Sequence, residues 1–149
     1  MGTPFDLAIG SRSVVFVVAL TVLNVAHQLG DHVLQTDAQA AGKTGPGWAG
    51  LRAMAGHLVS YHLAAAVLLI GTFSLLGLPL SVTGLAAALT VSALTHGLLD
   101  RRWLVRAMLR AVGAAGFAEA QSPVCGMYQA DQAWHQLALL ASALALSAL

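Results

Sequence analysis

The sequence is poor in charge. Of its 149 residues only 9% are Asp, Glu, Lys or Arg, where a soluble domain carries about a quarter. That shortage excludes a disordered chain and a nucleic-acid binder with a basic face, and it argues against almost any water-soluble fold. Neither sign dominates: the formal net charge is +1, which implies no general attraction to acidic partners. A single cysteine, Cys125, excludes a disulfide framework, and with no cationic or ligand neighbour in sequence it reads as inert. What is abundant is apolar: 58% of the residues are hydrophobic. The composition specifies a small integral membrane protein with one domain over residues 1–149.

A bilayer core needs about 20 apolar residues of helix. Four segments qualify, at about 13–35, 51–76, 80–100 and 127–149, and the expected fold is all-α, a four-helix transmembrane bundle. Between them, 36–50 is Gly-rich and contains Lys43, Pro46 and Trp48, so it reads as a loop, and 77–79 is a tight turn. The connector 101–126 opens with Arg-Arg-Trp-Leu-Val-Arg-Ala-Met-Leu-Arg. Arg102, Arg106 and Arg110 share one face there, and Leu104, Val105, Met108 and Leu109 the other. It is expected to be a short amphipathic helix on the cytoplasmic surface between the third and fourth spans, its arginines serving either as a topology signal alone or also as contacts to anionic lipid head groups. The first apolar run is read as a retained span and not a cleaved signal peptide, because Asn24 suits a cleavage site poorly.

Orientation follows from the basic residues. Lys43 and Arg52 flank the first connector, and Arg101, Arg102, Arg106 and Arg110 lie in the third, while the other side has only Arg12. Both basic connectors are expected in the cytoplasm and both termini outside it, in a bacterial inner membrane. Trp48 and Trp103 suit the membrane interface.

Against this apolar background stand six His and six acidic residues. Three pairs are spaced by four: His27–Asp31, His96–Asp100 and Asp131–His135. Chance placement gives about 0.5 such pairs, and this spacing puts both partners on one helix face. The second span adds His57, with Tyr61 one turn on, and Gln35 extends the first stripe. With the topology above, His27, Asp31, His57, His96, Asp100, Asp131 and His135 all lie within about 12 Å of one membrane boundary. A lone pair of this kind suits hydrogen-bond glue or a cap, whereas four spans converging with such groups on the bundle interior point to a functional polar site.

Neutral imidazole and carboxylate are ligands for zinc, iron and manganese. Seven candidates exceed one tetrahedral shell, so either two metals share bridging Asp or some Asp orient His from outside. The expected cofactor is one or two divalent transition metals, zinc first, with iron or manganese next. Water on such a metal reaches a pKa of about 7 and supplies hydroxide. Asp31 or Asp131 is the candidate to take its proton, and Tyr61 or Gln35 to hold a substrate oxygen. His32, His62, Asp37 and Gln132 border this set with no role assigned.

These residues resemble an uncharacterised prokaryotic membrane-protein family, the domain of unknown function three-three-zero-seven. The family's first motif, His-x-x-Gly-Asp followed by Gln-Thr-Asp, Ala and a Lys, matches at His27, Gly30, Asp31, Gln35, Thr36, Asp37, Ala40 and Lys43. His57 and Tyr61 match its second motif, Thr95, His96 and Asp100 its third, and Asp131, Gln132 and His135 its fourth. Ala38, His32 and Arg101–Arg102 depart from the pattern beside the proposed site. The resemblance implies the fold and the site residues, and no activity. The Thr95–Asp100 segment is also similar to a motif of bacterial inner-membrane metal-dependent hydrolases.

The reading that follows is an intramembrane metal-dependent enzyme, a hydrolase acting on an amphiphilic or lipid-like substrate near the cytoplasmic face. Oxidative chemistry at the metal is a variant of it. The alternative is a proton- or divalent-ion-binding transporter, or a metal-binding module without catalysis. The expected partners are membrane lipid and no nucleic acid. Ala- and Gly-rich spans are also compatible with a homo-oligomer.

Overall fold

The computed structural model describes the backbone of residues 4–149 and the side chains from residue 11 onward. Among the described residues there are seven α-helices and no strand. Helix α1 spans Pro4–Leu29 and continues into a π-helical turn, Gly30–Leu34. Then follow α2 (Asp37–Gly42), α3 (Gly47–Leu76), α4 (Val82–Leu99), α5 (Trp103–Ala111), α6 (Ala115–Glu119) and α7 (Gly126–Ala148). The segments Ser11–Leu34, Gly47–Leu76 and Val82–Leu99 are long and apolar enough to cross a membrane. The fourth long helix, α7, is polar over its first half (Tyr128, Gln129, Asp131, Gln132, His135 and Gln136), which dilutes its hydropathy.

The four long helices pack in a closed ring, α1 on α3, α3 on α4, α4 on α7 and α7 back on α1. Their polarity is inside out. Val59, Leu63, Val67 and Ile70 of α3 face outward, as do Leu94 and Leu98 of α4 and Leu137 and Leu144 of α7. The buried face of the same helices carries His57, His96, Asp131 and His135. Water would reverse that arrangement and a hydrocarbon solvent favours it. At the end of the bundle away from these groups the core is apolar and built of small residues, with Ala19, Ala65, Ala88 and Ala143 against Leu23, Leu69, Phe73 and Leu139. Small residues let the backbones approach. At Gly84 a Cβ would lie 2.7 Å from the Leu146 carbonyl oxygen, so α4 and α7 touch there through backbone.

Three local features differ from the sequence reading. Residues 36–50 are not a plain loop. Thr36 and Gln39 form a reciprocal capping box that starts α2, a Thr-x-x-Gln signature present in the sequence. The second long helix begins at Gly47, directly after Pro46, four residues before the expected start. The connector 101–126 holds α5 as expected and also a second short helix, α6.

The first span does not run straight to Gln35. It widens into the π-helical turn that carries Asp31, and such turns recur at functional sites. Gly30 in this turn lies flat against the Tyr61 ring, and a Cβ there would overlap that ring. Gly30→Ala is therefore expected to destabilise the bundle by about 1–3 kcal/mol, and to lower the thermal midpoint followed by circular dichroism in detergent. An unchanged midpoint would show that Tyr61 moves aside freely.

Candidate metal centre

Four side chains meet at the buried polar end. Asp31 comes from the π-helical turn, His57 from α3, and His96 and Asp100 from the end of α4. The Nε2 atoms of His57 and His96 are 2.9 Å apart. Asp31 Oδ1 is 3.3 Å from each of them. Asp100 Oδ2 is 3.2 Å from His57 Nε2 and 3.1 Å from His96 Nε2. A tetrahedral ion with bonds of about 2.0–2.1 Å holds its ligand atoms about 3.3–3.4 Å apart. The two nitrogens and two oxygens thus outline a cage of cation size, with the donor set that zinc and its neighbours take. Asp31 Oδ1 makes no aligned hydrogen bond despite these short separations.

A second group adjoins the first. Asp100, Asp131 and His135 bring one ligand atom each within 4.8 Å of one another. His135 Nδ1 lies 2.9 Å from the Asp131 main-chain oxygen and must donate to it. That fixes the tautomer and leaves a lone pair on Nε2. The Nε2 atom has no hydrogen-bond partner, and Asp100 Oδ1 is 3.8 Å away. Asp131 Oδ1 is buried and unpartnered as well. Asp100 thus faces the first group with Oδ2 and the second with Oδ1. Buried His and Asp side chains in both groups have the spacing to hold a metal ion.

Of the remaining predicted residues, His27 and Tyr61 border these groups. His27 stacks on His135 with ring centroids 5.0 Å apart. Its Nε2 donates to Gln132 Oε1 at 3.1 Å, and its Nδ1 lies 3.7 Å from Asp31 Oδ2. His27 is therefore packed against both groups without joining either ligand set. Tyr61 is buried with its ring 4.3 Å from that of His96. Its hydroxyl is buried with no hydrogen-bond partner. The Gln35 amide nitrogen is buried with no partner and remains a free donor. His62 binds Ser92 Oγ at 3.1 Å, outside the groups. His32 is exposed and bonds the Tyr128 hydroxyl at 2.6 Å, and Asp37 is exposed on α2.

One site residue was not legible from spacing. Lys43, at the end of α2, reaches into the bundle and places Nζ 2.8 Å from Asp100 Oδ2, with only 8% of its side chain exposed. In sequence it reads as a topology-setting charge in a Gly-rich connector. The one signal beyond that is its place in the resemblance to the membrane family. Its burial changes the charge balance. With imidazoles neutral and carboxylates ionised, Asp31, Asp100 and Asp131 against Lys43 leave a formal charge of −2 (three negative, one positive) in a dry interior. A buried net charge needs a partner, and one divalent cation or two protons would balance it.

Comparison with protein-family models, with curated proteins and with solved structures finds no match to this chain.

Proposed function

We propose that this chain is a membrane-embedded metal-dependent hydrolase, with two divalent cations, zinc by preference, held at the cytoplasmic end of a four-span bundle. The observation that carries the reading is the pair of ligand groups sharing Asp100. The Asp31–His57–His96–Asp100 group supplies four ligands and leaves no open position, as in structural zinc sites. The Asp100–Asp131–His135 group supplies three, and catalytic zinc sites keep the fourth position for water or substrate. A divalent ion held there would lower the pKa of a water to about 7.

The chain's own residues would do the rest. Asp131 would hold the ion through one carboxylate oxygen and would have the other to accept a proton. His27, held by Gln132, stacks on His135, and Gln35 has a free amide donor for a substrate oxygen. Among the described residues the outer half of the ring is apolar apart from side chains such as Ser142, which bonds its own helix. It offers no continuation for a transported ion, which favours a site over a path.

Elemental analysis of detergent-purified protein tests the metal. Wild type is expected to carry about two ions per chain and His96→Ala to lose the one held by the four-ligand group. A folded, metal-free wild type that stays so after added zinc at neutral pH would turn the reading to a proton relay.

Orientation has its own test. In a Cys125→Ser background, labels on Ser11→Cys and Gly116→Cys are expected on opposite membrane faces, with Gly116 cytoplasmic. Labelling from the same face would refute four spans.

A further inference from the structure

Five of the chain's seven basic residues gather at one place. Arg101, Arg102, Arg106 and Arg110 line a cleft of about 400 Å³ with Thr44 and Trp103, and no carboxylate lines it. Lys43 precedes Thr44, and Asp100 precedes Arg101, so both walls of the cleft begin one residue from the Lys43–Asp100 pair. Arg101 ties the walls together by donating from Nη1 to the Gly45 carbonyl at 2.8 Å. Arg106 pairs with Glu119, outside the cleft lining. Arg102 and Arg110 have no ion pair or side-chain hydrogen bond among the described residues. Arg102 stands in the left-handed backbone region at φ 61, two residues after Asp100.

We propose that this arginine cleft is the head-group subsite of the metal centre and that it takes a phosphate monoester or diphosphate group on an amphiphile. The proposal rests on the hydrolase reading above and supplies its substrate class. Guanidinium forks match phosphate oxygens in pairs, and a group of two negative charges meets two unpaired arginines here. The apolar tail of such a molecule lies in the bilayer beside α5, whose start carries the exposed Trp103. Asp100, which the two ligand groups share, directly precedes Arg101 of the cleft wall. For a monoester the reaction balances as hydrolysis. Water loses a proton to Asp131 and its oxygen bonds to phosphorus. The ester P–O bond breaks, and the leaving alkoxide takes that proton to give the alcohol and inorganic phosphate.

Binding separates this proposal from the metal reading. Full-length protein would be placed in phosphatidylcholine nanodiscs doped with phosphatidic acid, a monoester, or with phosphatidylglycerol at equal surface charge. Both would be measured with and without EDTA. Wild type is expected to prefer phosphatidic acid by about tenfold, and the double variant Arg102→Gln/Arg110→Gln to lose that preference while keeping its metal content. Arg12→Gln, at the far end of the chain's first helix, is the control and should keep the preference.

Equal binding of the two lipids, or a preference untouched by the double variant, would overturn the subsite. A preference that EDTA removes and the double variant does not would assign phosphate to the metals alone, refuting the cleft and leaving the metal reading intact. Millimolar inorganic phosphate as competitor distinguishes the source of the group. Full competition points to soluble phosphate and weak competition to a lipid head group, and either result keeps phosphate as the recognised chemistry.

Discussion

Asp100→Asn is expected to empty both cation positions, whereas His135→Ala and His57→Ala should each empty one. The contrast follows from the two oxygens of one carboxylate. Asp100 Oδ2 lies 3.1–3.2 Å from the imidazole nitrogens of the four-ligand group. Oδ1 faces His135 of the three-ligand group at 3.8 Å. A carboxylate shared in this way suits two ions about 3.5–4 Å apart. Asn keeps the volume and one oxygen but loses the negative charge and the second anionic oxygen. Loss of even an outer partner of a metal ligand costs about 10–100-fold in affinity, so loss of a shared ligand should exceed that.

His135→Ala leaves Asp31, His57, His96 and Asp100 in place and should retain about one ion against the roughly two expected of the wild type. The measurement is metal per chain after exhaustive dialysis, with helix content checked by circular dichroism. Wild-type stoichiometry in a folded Asp100→Asn protein would falsify the shared-ligand arrangement. Equal losses in all three variants would point to a single ion touched by every residue.

Much of this centre is legible in sequence because helices convert spacing into geometry. His27–Asp31, His96–Asp100 and Asp131–His135 lie on shared faces by the 3.6-residue period alone. The apolar lengths then bring the faces to one depth. The structure does bring all seven predicted ligands into one buried neighbourhood. The details that escaped are those that period and hydropathy do not encode. The π-helical turn adds a residue to the register and re-aims Asp31, and its sequence, Gly-Asp-His-Val-Leu, carries no marker for it. The Thr36–Gln39 capping box lies inside a Gly-rich stretch that reads as coil. His27 has ligand spacing but its Nε2 is committed to Gln132, a contact between residues 105 apart in sequence. Lys43 enters the bundle from a connector, and only its hydrogen bond to Asp100 separates it from the surface charges around it.

That hydrogen bond makes Lys43 the residue whose loss should be felt most in the absence of metal. Among the described residues its ammonium is the one Lys or Arg cation paired with Asp100, and the pair is almost fully enclosed. Lys43→Met preserves the methylene stem and removes the charge, so packing is nearly conserved while the formal charge of the site moves from −2 to −3. Breaking a buried pair by removing one partner destabilises by about 3–5 kcal/mol, because the remaining charge is stranded. The metal-free variant should therefore unfold at markedly lower denaturant than metal-free wild type, measured as helix loss in rising SDS fraction.

Added zinc should then recover most of the difference. A ligand bound only by the folded state contributes about 2.7 kcal/mol at 100 times its dissociation constant, and it also neutralises Asp100. A double-mutant cycle with Asp100→Asn isolates the pair, since Lys43→Met in that background strands no carboxylate at position 100. If Lys43 served only to orient the chain in the membrane, its replacement would cost the same in both backgrounds and zinc would not change it. A coupling near zero would thus remove Lys43 from the site. A large coupling, relieved by zinc, would establish it as the cation that holds the empty centre together.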